Sequence, residues 1–281
     1  MKMKILKLED FITEAQVGSH EITDISGYLE HMSAGLSDKL YFLNKVDLDV
    51  LIDFGCADGI LLNYISQVNK KIKLVGYDLD DKMVNIAKGK FSHIQFESDW
   101  GTIEEILEEN KNLTIGILLS SVIHEVYSYS KASTISYFWK QQVFNPNIDY
   151  VIIRDMMSSN TYPSVNPEDT EKIRQKANPK QLKQYEDEWG SIDTDYRTFL
   201  HWLLKYRYLI NWGRELYENY LPITIEHLKS KWIPSSWSVI FEDYFTFPYL
   251  KGIIKQDFDI DITQPTHLKM IIKNNKKNHL N

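Results

Sequence analysis

The sequence has few of the features that mark secreted, membrane or nucleic-acid-binding proteins. Its 281 residues include a single cysteine, Cys56, which excludes an intramolecular disulfide and favours a reducing compartment. No apolar run reaches membrane-spanning length, and the first residues lack a signal-peptide core. The net charge of −7 argues against a broadly basic surface, although a local basic patch remains open. These absences predict a soluble, cytoplasmic protein that does not bind membranes.

A short apolar run followed by small residues organises the chain. Residues 50–54 read as a strand buried on both faces, and residues 59–68 resume with helical spacing. Between them, Gly55, Ala57 and Gly59 form a turn whose backbone can approach a ligand closely. The amides that open the next helix can then receive the ligand's polar atoms. The context of strand, turn and helix predicts a nucleotide-like ligand.

Acidic residues end the next two predicted strands. Asp78 closes the strand over 72–77, about twenty residues beyond the turn, where a carboxylate can accept hydrogen bonds from both ribose hydroxyls. Asp99 and Trp100 follow the strand over 93–97. Asp99 has an alternative role as the residue that begins the next helix.

Together these motifs resemble those of the class I S-adenosylmethionine-dependent methyltransferases. The resemblance covers roughly residues 48–155, and Ala57 stands where the family usually has glycine. It implies S-adenosylmethionine as the cofactor. It further implies that Asp53 orients the turn or the methionine amino group, and that Ser120 borders the methionine. Asp99 would accept from the adenine amino group, with Trp100 bordering the base.

The segment after the fourth predicted strand, 114–120, contains the candidate catalytic residues. His124 and Glu125 are general-base candidates for an acceptor that must lose a proton. Either could instead cap the loop or bind the cofactor's backbone. Asp155 follows the strand over 149–154, but no further ligands accompany it at a familiar spacing, so no metal site is predicted.

Helical patterns over 59–68, 80–90, 101–110 and 129–144 alternate with the strands, and Asp80 is the expected cap of the second of these helices. The spacing of Leu36, Leu40, Leu43 and Val46 predicts a further helix that leads into the first strand. This alternation of strands and helices predicts a mostly parallel α/β sheet.

With the resemblance, the expected fold is a Rossmann-like, seven-stranded sheet with an antiparallel terminal strand, flanked by helices, and a helical insert between strands five and six. Four regions are expected: a helical lead-in or lid over 1–49, with Tyr28 and His31 as lid candidates; a cofactor-binding core over 50–155; an acceptor-side insert over 156–235; and terminal strands over 236–281.

The insert leaves the acceptor open. Its aromatic stripe of Phe199, Leu203, Tyr206 and Ile210 is expected to pack as core. Five basic residues, Lys205, Arg207, Arg214, Lys229 and Lys231, could instead hold an anionic or RNA acceptor.

The favoured function is methyl transfer by direct displacement to an O or N acceptor, with a small molecule preferred over RNA. A nicotinamide-dependent oxidoreductase is the alternative enzyme, since the turn and the ribose acid serve that class too. The third possibility is a binding module that holds S-adenosylmethionine without turnover.

Overall fold

One seven-stranded sheet forms the centre of the computed structural model, which describes residues 36–209 and 211–277. The strands, numbered β1 to β7 in chain order, are Val50–Phe54, Lys73–Tyr77, Gln95–Glu97, Ile115–Ser120, Tyr150–Met156, Trp237–Phe245 and His267–Asn274. Their order across the sheet is β3-β2-β1-β4-β5-β7-β6. Strands β1 to β5 pair in parallel, and β7 is antiparallel to both β5 and β6.

The central strands are buried on both faces, which explains their continuous apolar sequences. Every residue of β1 and β4 is buried. Helices cover the sheet because parallel strands need crossover connections. The helices before β5 are Leu36–Lys39, Ile60–Val68, Asp81–Lys90, Trp100–Glu109, Ile123–Tyr129 and Ala132–Tyr137, numbered α1 to α6.

The insert between β5 and β6 adds a second helical layer with its own core. Its helices are Pro167–Lys176, Pro179–Trp189, Tyr196–Lys205, Trp212–Glu215 and Ile225–His227, numbered α7 to α11, and α12, Pro248–Phe258, follows β6. Phe199, Trp202 and Leu203 lie in this core, so the packing interpretation of the aromatic stripe is confirmed for them. The predicted stripe residue Ile210 lies outside the described residues, as do the lid candidates Tyr28 and His31.

The predicted fold class is therefore confirmed, including the antiparallel terminal strand and the helical insert. The predicted helix cap at Asp80 is also confirmed. The Asp80 side chain caps α3 by accepting from the Lys82 amide at 2.8 Å, and Asn166 and Asn178 cap the two insert helices that begin with proline.

One helix prediction was confirmed over most of its length, and one was wrong in extent. The helix predicted over 129–144 begins three residues later, at Ala132, where α6 starts and continues into a π-helical turn over Phe138–Val143. The extended backbone of Ser130 (φ −119°, ψ 149°) separates it from α5, which was not predicted as a helix. The lead-in helix, expected over Leu36 to Val46, ends at Lys39.

The strand order reverses direction between β1 and β4, and this is where a ligand of a doubly wound sheet binds. Asp53, Ser120 and Asp155 all lie at or near the carboxyl ends of central strands. Within the two described ranges, none of the helices combines the length and apolarity needed to cross a bilayer.

Candidate functional site

The turn after β1 is held in a left-handed conformation that small residues permit. Gly55, Ala57 and Gly59 have φ values of 81°, 46° and 77°. The Gly55 and Cys56 amides donate to the Tyr77 carbonyl at 2.8 and 3.0 Å, which ties the turn to β2. A Cβ on Gly59 would lie 2.5 Å from the Phe96 ring. Glycine is therefore required there by both backbone conformation and packing.

Asp78 connects the end of β2 to the same turn. Its Oδ2 accepts from the Ala57 amide at 2.8 Å, and its Oδ1 accepts from the Asp80 amide at 2.9 Å. Burial raises the pKa of Asp78 to about 6, while the two backbone hydrogen bonds oppose the increase. The carboxylate thus stabilises the strained Ala57 and keeps its negative charge at the sheet edge.

A small cavity of about 20 Å³ lies under the turn, between Asp53, Ser120 and Lys39. It has room for about one water molecule, so entry of a nucleoside requires side chains to move. The buried Ser120 Oγ has no hydrogen-bond partner within the described structure, and it lines this cavity. Burial raises the pKa of Asp53 to about 7, and the Lys39 ammonium opposes that increase. Sequence analysis missed Lys39, whose position in a short lead-in helix carried no signal.

Asp99 and Trp100 begin α4. The Asp99 side chain accepts from the Gly101 amide at 3.0 Å, so the alternative interpretation, a helix cap, describes what it does here. The Trp100 ring is buried against Phe54 and Tyr77, at centroid distances of 5.5 and 5.1 Å. A contact of either residue with adenine stays a prediction.

His124 lies in the first turn of α5 and is fixed by Asp155 at the end of β5. Its Nδ1 is 2.8 Å from Asp155 Oδ1, and the other carboxylate oxygen accepts from the Ile123 amide at 2.7 Å. Burial lowers the pKa of His124, but the carboxylates of Asp155, Glu125 and Glu218 together outweigh burial and raise the pKa to about 9. The pair defines one orientation of the imidazole, as a carboxylate does for a catalytic histidine.

Glu125 faces a different partner. Its carboxylate accepts from Arg214 Nη2 at 2.8 Å, and the same guanidinium lies 2.6 Å from Glu218. Arg214 and Glu218 are almost completely buried. Oxygen and nitrogen atoms of His124, Glu125 and Glu218 lie within 4.8 Å of one another, a spacing that could hold a metal ion. The Arg214 guanidinium already bridges both carboxylates, which disfavours a cation there.

Two of the basic insert residues do not form an acceptor-binding surface. Lys205 is fully buried and donates to the carbonyls of Leu216 and Glu218. Arg214 is buried between carboxylates. Neither residue is therefore available at the surface to hold an anionic acceptor. Helical spacing could not show that the insert turns back and buries them.

Similarity to known proteins is limited in extent. No protein-family model matches the chain. A stretch of 92 residues is 32% identical to "Putative methyltransferase 235L" of Invertebrate iridescent virus 6, covering 30% of this chain and 33% of that protein. The match therefore spans well under two thirds of the curated relative.

Among solved structures, the chain is similar to the plantazolicin methyltransferase BamL in complex with a triazolic desmethylPZN analog and SAH. The identity is 13%, the TM-score is 0.48, and the similarity covers 89% of this chain and 90% of that one. It is also similar to the methyltransferase domain of bacterial CtHen1-C, with 15% identity, a TM-score of 0.40, and coverage of 85% and 95%.

Proposed function

We propose that the chain is an S-adenosylmethionine-dependent methyltransferase of class I, acting on a small-molecule O or N acceptor. The observation that carries the proposal is the left-handed turn Gly55–Gly59, tied by its Ala57 amide to the Asp78 carboxylate at the switch point of the sheet. The name of the viral relative, which matches 92 residues, supports the same activity.

The residues around the turn fit this cofactor. Asp78 would accept hydrogen bonds from the ribose hydroxyls, and the backbone amides of the turn would face the bound cofactor. Ser120 Oγ, buried without a partner in the described structure, would gain one from the methionine end, and Asp53 would face the amino group. Asp99 and Trp100 would border the adenine. When bound, S-adenosylmethionine supplies an electrophilic methyl group for direct displacement.

His124 is the better general-base candidate of the two predicted residues. Asp155 holds its Nδ1, which leaves the other ring nitrogen to take a proton from an acceptor hydroxyl or ammonium. Its raised pKa keeps the imidazole charged at neutral pH, so the basic form grows as the pH approaches 9. Glu125 is held by Arg214, and its role is to fix the insert to α5.

A small acceptor fits the charges better than RNA does. Lys205 donates to the Leu216 carbonyl, and Arg214 is paired with Glu218. Neither side chain is therefore available to bind phosphates. RNA binding would weaken steeply with added salt, because phosphate contacts release counterions. Transfer to a neutral small molecule should change little over the same range.

Calorimetric titration with S-adenosylmethionine and S-adenosylhomocysteine tests the proposal. We expect binding by the wild type and a loss of about 10- to 100-fold in Asp78→Ala, which removes a carboxylate bonded to the turn. The matched control is Asp81→Asn, because Asp81 is an exposed carboxylate only three positions beyond Asp78, at the start of α3. This variant should bind both ligands as the wild type does.

Two outcomes would contradict the proposal: no heat from either ligand, or equal affinities for wild type and Asp78→Ala. A parallel titration with NADH separates the oxidoreductase alternative. Radiolabelled methyl transfer into RNA, protein and metabolite fractions of a cell extract would then identify the acceptor class. Label in none of the fractions would favour a non-catalytic binding module.

A further inference from the structure

Tyr220, in the segment of the insert that follows α10, contacts two buried histidines. Its ring lies 5.4 Å from the His124 imidazole at an interplanar angle of 75°, which is an edge-to-face arrangement. Its backbone amide donates to His201 Nε2, on α9, at 3.1 Å. All three residues are buried. The candidate base on α5 is therefore joined to the core of the insert through one tyrosine.

His201 is neutral, and its partners define the position of its proton. The Tyr220 amide can only donate, so Nε2 accepts and the ring proton lies on Nδ1. Nδ1 is 2.9 Å from the hydroxyl oxygen of Tyr185, and that hydroxyl donates to the Thr198 carbonyl at 2.8 Å. The Tyr185 oxygen is thus left to accept from Nδ1. Burial also lowers the pKa of His201 well below its usual value, which favours this neutral form.

A second contact fixes the same segment of the insert to α5. The Ser128 hydroxyl donates to the His124 carbonyl at 2.6 Å and accepts from the Asn219 amide at 2.7 Å. Asn219 directly precedes Tyr220. Two consecutive backbone amides of the insert are therefore hydrogen-bonded to buried side chains, one on α5 and one on α9.

The hydrogen bond between His124 and Asp155 constrains the imidazole at one atom. The Nδ1 contact of 2.8 Å still permits the ring to tilt about that bond. The Tyr220 ring restricts this tilt, because edge-to-face packing has a preferred geometry. Ring orientation matters for a general base, since its free nitrogen has to come within hydrogen-bond distance of the acceptor's proton.

We propose that Tyr220 is a positioning residue for His124, and that His201 acts through Tyr220 by holding its backbone amide. This deepens the proposed methyltransferase function and rests on it, since the positioning serves the removal of the acceptor's proton by His124. The insert then contributes to the chemical step as well as to the acceptor side of the sheet edge.

Two substitutions of Tyr220 separate its ring from its hydroxyl. Tyr220→Leu removes the ring, whereas Tyr220→Phe keeps the ring and removes the hydroxyl that donates to Glu215. Protein labelled with ¹³C at the histidine Cε1 gives one NMR signal for each of the eight histidines, and the signal lost in His124→Gln belongs to His124. We expect the His124 signal to shift in Tyr220→Leu and to keep its position in Tyr220→Phe.

The rate of methyl transfer measures the effect on the chemical step. The readout is the initial rate of radiolabel transfer into the extract fraction that the wild type labels, at saturating S-adenosylmethionine. Tyr220→Leu should lower this rate about tenfold, because slight misplacement of a catalytic group is costly. Its affinity for S-adenosylhomocysteine should stay at the wild-type value. Tyr220→Phe should keep both the rate and the affinity.

Two substitutions of His201 test its action through the tyrosine. His201→Leu leaves the Tyr220 amide without its acceptor, whereas His201→Gln supplies a side-chain oxygen near the position of Nε2. His201→Leu should shift the His124 signal and lower the rate about threefold or more. His201→Gln should restore both toward the wild-type values.

Phe199→Leu is the matched control for loss of packing in the insert. Phe199 is a buried residue of the same helix as His201, and its ring packs against Tyr196 at 5.4 Å. This variant should lower the free energy of unfolding while the His124 signal and the rate stay at their wild-type values.

An unchanged rate in Tyr220→Leu would overturn the proposal, and so would equal effects of Phe199→Leu and Tyr220→Leu on the His124 signal and the rate. Equal losses in His201→Leu and His201→Gln would remove the role of His201. Failure of the methyltransferase function gives a different result. A protein that binds no S-adenosylhomocysteine and transfers no methyl group, but whose His124 signal shifts in Tyr220→Leu and His201→Leu, would refute the activity alone.

Discussion

The proposed cofactor side and the proposed acceptor side of the sheet edge are built in different ways. On the cofactor side, the turn after β1 is held by backbone amides that donate to Tyr77 and to the Asp78 carboxylate. On the acceptor side, His124 and Glu125 are held by side chains that come from β5 and from the insert. The first group of residues lies within positions 55–78, and the second extends over positions 124–214.

This difference affects what each side tolerates. Backbone contacts survive most side-chain changes and fail when a residue cannot adopt φ > 0 or when a Cβ does not fit. A buried network of charges fails when one partner is removed, because the remaining charges lose their compensation. The predictions below test this contrast, from the largest expected effect to the smallest.

Arg214→Met should have the largest effect on stability. It leaves Glu125 and Glu218 without their shared cation, and breaking a buried pair costs about 3–5 kcal/mol of the free energy of unfolding. Urea denaturation measures the loss. Arg174 is the matched control, since it also bridges two carboxylates, Glu186 and Asp193, but is 34% exposed.

Arg174→Met should therefore lower the free energy of unfolding by less than about 1 kcal/mol, because exposed ion pairs contribute little to stability. Equal losses in the two variants would remove the distinction between a buried network and surface pairs.

The contribution of His124 to stability should depend on pH. Its pKa in the folded protein, about 9, lies above the ordinary 6.5, because the carboxylates of Asp155, Glu125 and Glu218 together outweigh burial. Its contribution is therefore complete below pH 6.5 and lost as the pH rises through about 9. The difference in unfolding free energy between wild type and His124→Gln should shrink by about 3 kcal/mol between pH 6 and pH 10.

Urea denaturation at both pH values measures this change. Asp155→Asn should reduce the dependence, because it removes the largest of the charges that raise the pKa of His124. A difference that stays constant with pH would show that Asp155 does not stabilise an imidazolium.

Gly59→Ala should destabilise the cofactor turn by about 2 kcal/mol, through its φ of 77° and the contact of a new Cβ with Phe96. Affinity for S-adenosylhomocysteine should fall with it. Gly89 is the matched control, since a Cβ there meets open space within helix α3. Gly89→Ala should leave stability unchanged or raise it by up to about 1 kcal/mol. A loss as large as that of Gly59→Ala would contradict the steric argument.

Glu125→Gln should have the smallest effect. Glutamine can still accept from Arg214, so turnover should fall less than about threefold. His124→Gln removes a general base and should reduce turnover by about 100-fold or more, with cofactor affinity unchanged. A reversed order, measured with the identified acceptor, would assign the base to Glu125.

Several elements could be predicted because their causes are local. The apolar run of β1, the cap of α3 at Asp80 and the glycine turn each depend on a few adjacent residues. The helix over 129–144 was predicted to begin three residues too early, because no adjacent residue signals that the backbone turns extended at Ser130.

The burial of Arg214 and the roles of Glu218 and Lys39 could not be found by the same reasoning. Their sequence neighbourhoods are ordinary for exposed helix or loop residues. Only the return of the insert onto α5 buries Arg214 and Glu218 together, and only the docking of α1 brings Lys39 to Asp53.

The sequence by itself determined the left-handed turn and the acidic residue at the strand end, because conformational preference and hydrogen bonding act between near neighbours. The tertiary structure alone decided that Asp155 meets His124 and that Arg214 holds Glu125. Those contacts join residues far apart in the chain, and burial sets their charges and packing only once the insert has folded against the sheet.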